Sequence, residues 1–172
     1  MKFGIDIGHN CSPDIGSTGI RQEDDLTREV GILVIEKLAL LGNKVVNCTP
    51  SAASSVIESL KQRVETANSQ KVELLASIHF NCFNGQAHGS EAFSHGTLGK
   101  KAANLVQKNI VNLGFSDRGV KDGSHLYILK NTEMPSILIE CCFCDSKIDM
   151  ELYNPSNMAD AIARGLSDSM SI

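Results

Sequence analysis

The sequence predicts an α/β fold, with one sheet covered by helices on both faces. Three observations lead there. Segments with strand-like and helix-like hydrophobic spacing alternate along the chain. Residues 72–78 form a mostly apolar run, as expected of a central strand buried on both faces. No internal repeat, low-complexity stretch or Pro/Gly/Ser-rich linker divides the 172 residues, so residues 1–172 are expected to form a single domain.

Each element has its own signal. In residues 2–7, Phe3, Ile5 and Ile7 share one face, which predicts a strand ending in the loop Gly8-His9-Asn10. Ser12, Pro13, Asp14, Gly16 and Gly19 make the next stretch an irregular connection. From Glu23 the period changes: Leu26, Val30, Leu33, Leu38 and Leu41 fall near helical spacing, and Gly42 stops the helix. The acidic cluster Glu23-Asp24-Asp25 sits where a helix dipole favours negative charge. Residues 44–48 form a second strand. Ile57, Leu60, Val64 and Ala67 mark a second helix. Residues 91–94 read as a short strand. Leu98, Ala102, Leu105, Ile110 and Leu113 mark a third helix, with Thr97 as its expected N-cap. Residues 126–129 and 137–139 are expected to be two more strands. A last helix carries Met158, Ala161, Ile162, Gly165 and Leu166, entered through Asn154-Pro155-Ser156.

Composition excludes some classes. A hydrophobic fraction of 42% and a charged fraction of 21% are ordinary for a globular domain. The net charge of −4 gives no electrostatic reason to expect nucleic acid or an anionic membrane as partner. No apolar run is long enough for a membrane span, and the first residues lack the apolar core of a secretory signal. The expectation is a monomer made in the cytoplasm. The six cysteines, Cys11, Cys48, Cys82, Cys141, Cys142 and Cys144, are expected to be reduced, with Cys48 and Cys141 buried among apolar neighbours.

In an open α/β sheet, ligands gather at the carboxyl ends of the strands. His9, His79 and Glu140 each follow a strand-like run, and Glu23 opens the helix after the first loop. The four can therefore meet on one rim. A catalytic zinc takes three ligands from His, Glu, Asp or Cys and leaves a place for water. Two His and one Glu meet that demand, and a further carboxylate can move the proton of the attacking water. Each residue also has a plainer role open to it. A strand-end histidine is often simply hydrogen-bonded, and Glu23 alone is a helix-start charge. Glu140 is harder to explain that way, because a carboxylate after Ser-Ile-Leu-Ile is costly to bury unpaired.

The chain resembles the zinc-dependent N-acetylmuramoyl-L-alanine amidases of the amidase 3 type, and the matching pieces run nearly end to end. Ile5-Asp6-Ile7-Gly8-His9 resembles the opening strand and metal histidine, and Gly19-Ile20-Arg21-Gln22-Glu23 with Leu26 the second ligand segment. Arg63, Ala67 and Asn68 precede Ser77-Ile78-His79-Phe80-Asn81, which resembles the third. Arg118-Gly119-Val120-Lys121 and Leu126-Tyr127-Ile128-Leu129 resemble the stretch lining the substrate cleft. Met134-Pro135-Ser136-Ile137-Leu138-Ile139-Glu140 resembles the segment ending in the catalytic glutamate. The resemblance implies a mixed, mostly parallel sheet, zinc on His9, Glu23 and His79, and Glu140 as the catalytic carboxylate. It implies peptidoglycan as partner, cut between N-acetylmuramic acid and L-alanine in lysis or wall remodelling. The setting would be a phage endolysin or the catalytic domain of a bacterial wall amidase.

The chain departs from the family pattern in places. Asn10-Cys11-Ser12-Pro13 replaces a glycine-rich stretch. Cys82-Phe83 replaces a small residue, and Cys141-Cys142-Phe143-Cys144 stands where glycine and phenylalanine are more usual. These changes bear on the cleft's shape more than on the metal site. Cys141 and Cys144 have C-x-x-C spacing but no second pair, so core packing is the expectation. His88 and His95 are expected at the surface, and His125 before a strand near the cleft. A zinc peptidase, a wall-peptide binding or regulatory module without catalysis, and a cysteine-based redox or metal-buffering protein are the competing functions.

Overall fold

The computed structural model describes residues 1–170. Its elements run β1 (Lys2–Ile7), α1 (Glu23–Leu40), β2 (Lys44–Asn47), α2 (Val56–Ser69), β3 (Leu74–Asn81), β4 (Ser90–His95), α3 (Gly96–Val111), β5 (Asp117–Asp122), α4 (Tyr127–Asn131), β6 (Ser136–Phe143), α5 (Lys147–Leu152) and α6 (Pro155–Ser169). One six-stranded sheet has the order β2-β1-β3-β6-β4-β5. β2, β1, β3 and β6 run parallel to one another. β4 is antiparallel to β6, and β5 is parallel to β4. The sheet is therefore mixed and mostly parallel, as the resemblance implied.

Alternation along each strand divides the core in two. Phe3, Ile5 and Ile7 of β1, Ile78 and Phe80 of β3 and Ile139 of β6 pack with α1, α3 and α6 in the larger cluster. Leu75 and Leu138 face the other way, towards Val64 and Ala67 of α2 and Ile128 and Leu129 of α4. Helices thus cover both faces. Among the described residues the second face carries α2 and the five residues of α4. His79, Glu140 and Glu91 belong to that face by the same alternation, further along the strands than the apolar pairs.

Local chemistry fixes the helix ends. The Ser55 hydroxyl accepts from the Glu58 N–H at the start of α2, and Asn154 caps α6 with Pro155 at the first helical position. α1 has no side-chain cap; Glu23, Asp24 and Asp25 supply negative charge in its first turn. Gly42 follows α1 at φ 81°, in the left-handed region that suits glycine, where its N–H reaches the Ala39 carbonyl.

Four sequence expectations need correction. Residues 126–129 form the start of α4 instead of a strand. An unbroken apolar run carries no period to tell strand from helix, and here one helical turn puts Ile128 and Leu129 against Leu75 and Leu138. His125 accordingly precedes a helix, packing edge-on to Phe93 at 6.3 Å between ring centroids. β6 continues past Ile139 through Phe143, because parallel pairing with β3 persists that far. α3 starts at Gly96 with His95 in the cap position, so Thr97 lies inside the helix.

All six cysteines are free thiols. Cys141, Cys142 and Cys144 are buried in the larger core, and Cys48 in the smaller. No helix among the described residues is long and apolar enough to cross a membrane.

Candidate metal centre

The parallel strands β1 and β3 are neighbours although β2 lies between them in sequence, so the chain reverses its direction of winding there. Crevices at such points, outside the carboxyl ends of the strands, are where ligands bind in α/β sheets. His9 lies two residues beyond β1, and His79 near the end of β3. Glu23 arrives from the first turn of α1, by way of the 10–22 loop. The structure brings these three together: His9 Nε2 lies 3.3 Å and His79 Nδ1 3.2 Å from Glu23 Oε1. One ligand atom from each residue falls within 4.8 Å of the others.

The loop is built to hold that arrangement. Asp24 Oδ1 accepts from the Asn10 and Gly16 N–H groups, tying both ends of the turn to α1. Glu23 is only 3% exposed, and its Oε2 accepts from the Ser17 N–H at 2.9 Å. Its Oε1 also accepts from the Phe80 N–H at 3.2 Å, so neither oxygen is free to swing. Gly8 lets the His79 ring pass: a Cβ there would sit 2.5 Å from His79 Cε1 and 2.5 Å from the Ile78 carbonyl.

The electrostatics follow from this crowding. Burial pushes the Glu23 carboxyl up, but His79 and His9 outweigh it and hold the group well below the usual carboxylate range. Burial lowers His9, while Asp14 and Glu23 together raise it to about 10. Such a site concentrates negative charge and imidazole nitrogens about one point, which is the donor set of a divalent transition metal. Tetrahedral bonds of about 2.0–2.1 Å place ligand atoms about 3.3 Å apart, close to the separations of both histidine nitrogens from Glu23 Oε1.

Glu140 stands beside His79 in the β3–β6 register. It lies inside β6 and not after it, so its side chain joins His79 on the α2/α4 face. Its Oε2 is buried without a hydrogen-bond partner. Burial raises its pKa to about 7, against the lowering influence of His79. A carboxylate left unsatisfied beside two histidines fits a site completed by an ion and water.

A family model, two relatives and one solved structure resemble this chain. A family model described as N-acetylmuramoyl-L-alanine amidase matches residues 4–171. The chain belongs to the N-acetylmuramoyl-L-alanine amidase family. It is 33% identical to an uncharacterized cell wall amidase of Bacillus anthracis, over 96% of this chain and 33% of that protein. It is 31% identical to the N-acetylmuramoyl-L-alanine amidase CwlM of Bacillus licheniformis, over 96% of this chain and 65% of that one. The catalytic domain of the CD27L endolysin targeting Clostridia Difficile superposes with a TM-score of 0.89 at 26% identity, over 98% of this chain and 97% of that one. The chain spans between 33% and 52% of the length of several curated relatives that it matches.

This member of the amidase family also carries polar residues that sequence reasoning did not single out. Glu91 lies directly opposite Glu140 in the β4–β6 pair. Its carboxylate accepts from Asn81 Nδ2 at 2.9 Å, from Arg118 Nε at 3.1 Å and from Lys121 Nζ. The Arg118 guanidinium rests 4.9 Å from the centre of the Phe143 ring. The segment 118–121, expected along the cleft, is thereby anchored to the strand next to Glu140. Asp14 was visible only as a loop residue, and Asp6 only as part of a strand. Arg63 was visible in the family resemblance and as a charged residue on the same helical stripe as Leu60, Val64 and Ala67, but neither named its partners.

Proposed function

We propose that this chain is a zinc-dependent N-acetylmuramoyl-L-alanine amidase. It would hydrolyse the amide bond between N-acetylmuramic acid and L-alanine in peptidoglycan, for lysis or wall remodelling. His9 would ligate through Nε2, His79 through Nδ1 and Glu23 through Oε1, since these are the atoms that converge. Bound zinc would supply Lewis acidity and lower the pKa of water to about 7. Glu140 is the catalytic carboxylate: it takes the proton of the attacking water and returns it to the leaving amide nitrogen. Its burial favours the protonated form and a neighbouring cation favours the ionised one, so both halves of that transfer lie within reach near neutral pH.

The single observation that carries this reading is the convergence of two imidazoles and a fixed carboxylate beside a buried carboxylate oxygen with no partner. The family membership supports the choice of bond. The presence of all four groups speaks against a module that only binds wall peptides.

The test is digestion of purified peptidoglycan by the zinc-loaded chain, with muropeptides resolved by mass spectrometry. Release of intact stem peptides with a free L-alanine amino group is expected. Cuts within the stem peptide would make it a zinc peptidase instead, and zinc uptake without any cut would favour the binding module.

A further inference from the structure

A buried arginine has to find anions, and Arg63 of α2 finds them at the base of the metal centre. It is 1% exposed. Its Nη1 donates to Asp6 Oδ1 and to the Ile7 carbonyl, the latter at 2.8 Å. Nη2 donates to the His9 carbonyl and, at 3.3 Å, to Asp14 Oδ2. Nε donates to Ser59 Oγ at 3.2 Å, and that hydroxyl donates on to Asp14 Oδ2 at 2.8 Å. The Ser77 hydroxyl donates to the other oxygen of Asp6 at 2.7 Å. One guanidinium thus ties β1, the loop after it and α2 into a unit.

Two consequences meet at His9. The residue and its neighbour Asn10 both adopt φ of 57°, a left-handed turn that an ordinary side chain disfavours. Arg63 holds the His9 carbonyl in that turn, and the Asn10 amide holds it from the other side through the Gly8 carbonyl and Thr27 hydroxyl, each at 2.8 Å. Meanwhile Asp14 Oδ2 is occupied by Ser59 and Arg63, which leaves Oδ1 aimed at His9 Nδ1, 2.8 Å away. An ionised carboxylate only accepts, so Nδ1 keeps its hydrogen towards Asp14, and Nε2, which faces the Glu23 carboxylate at 3.3 Å, is the nitrogen that would give up its proton to bind a metal.

We infer that Asp14, clamped by Arg63 and Ser59, is a positioning residue that sets the tautomer and ring plane of His9 for metal binding. The inference rests on the zinc reading above. Outer carboxylates of this kind raise the basicity of a ligand histidine, and losing one typically costs about 10- to 100-fold in metal affinity. Among the described residues His79 Nε2 has no equivalent carboxylate partner, so the orienting work is concentrated on the histidine that sits in a loop.

The test measures zinc affinity by competition with a chromophoric chelator, the visible spectrum of the cobalt(II)-loaded protein, and melting temperature, for the unmodified chain and Asp14→Asn. A zinc affinity about 10- to 100-fold lower with a changed cobalt spectrum is expected. Equal affinity and an unchanged spectrum, even with a lower melting temperature, would reduce Asp14 to a structural role and overturn the inference. If Asp14→Asn does not fold, Ser59→Ala decides: it removes one of the two donors on Oδ2, and a loss of about threefold or more is expected, from the ordinary worth of one hydrogen bond. Unchanged affinity in that variant overturns the inference. An unmodified chain that takes up no zinc sinks the metal reading itself, and this inference with it.

Discussion

Glu140 of β6 and Glu91 of β4 face each other across an antiparallel pair, yet their carboxyls are driven in opposite directions. Burial raises Glu140 to about 7, and its Oε2 has no partner. Burial acts upward on Glu91 too, but Lys121, Asn81 and Arg118 outweigh it and lower that pKa. Titratable pairs whose surroundings push them apart in this way are candidates for different roles, and the partners of Glu91 are structural while Glu140 Oε2 has none.

Glu140→Gln should therefore keep the fold and the zinc while losing about 10²- to 10⁴-fold in turnover. Zinc content by metal analysis, beside kcat on muropeptides, checks this. Should Glu140→Ala lose zinc while Glu23→Ala retains it, the two carboxylates have been assigned the wrong way round.

Glu91→Gln tests the structural half. At neutral pH the variant should be less stable by about 1–2 kcal/mol, since it removes a charged acceptor from two cations that are each partly exposed. The sign of the pH dependence follows from the lowered pKa. A carboxyl ionised more readily in the folded state stabilises above its unfolded pKa of about 4.3, and that contribution disappears as pH falls through the folded value. The gap in melting temperature between the two proteins should be widest near pH 6–7 and close below about pH 4. A gap independent of pH would mean that charge has no part in it.

His79→Ala and Glu23→Ala should each lose zinc and activity together, because two protein ligands remain where three converge. Equilibrium dialysis against zinc gives the stoichiometry. Full zinc content in either variant would remove that residue from the ligand set.

Much of the fold was legible because periodicity reports burial. The stripes of α1 and α2 and the apolar run of β3 could be read directly from the sequence, as could the strand-end positions of His9 and His79. Residues 126–129 failed for the opposite reason, since four apolar residues in a row look alike in a strand and in a buried turn. The three converging residues were legible as metal-binding chemistry at two strand ends and one helix start. Their supports were not. Asp14 acts on His9 from five residues away through a turn, and Arg63 reaches it from 54 residues away. Such contacts are set by how α2 lies on β1, which no local spacing records. The partnership of Glu91 with Arg118 and Lys121 likewise exists only once β4 and β5 are paired.

Gly8 offers the sharpest test of how tightly the centre is built. Its N–H donates to the Ile78 carbonyl at 2.9 Å, so the backbone cannot retreat from β3 without breaking that bond. A Cβ at this position would lie 2.5 Å from His79 Cε1, 2.6 Å from Nε2 and 2.5 Å from the Ile78 oxygen. Gly8 does not need a left-handed backbone, so the penalty for Gly8→Ala is overpacking, about 1–3 kcal/mol. Part of the strain can be relieved by rotating the His79 ring, and that rotation carries Nδ1 away from Glu23 Oε1. Zinc affinity should therefore fall by about tenfold or more, in line with other disturbances around a ligand histidine. Gly42→Ala supplies the comparison. It faces open space at φ 81°, so it carries a backbone cost of about 1–2 kcal/mol with no contact to the centre. The two variants should lose similar stability in thermal melts and differ in chelator competition, Gly8→Ala binding zinc more weakly and Gly42→Ala binding it as the unmodified chain does. Equal affinities in the two variants would mean that His79 is held by something other than the close approach of β1.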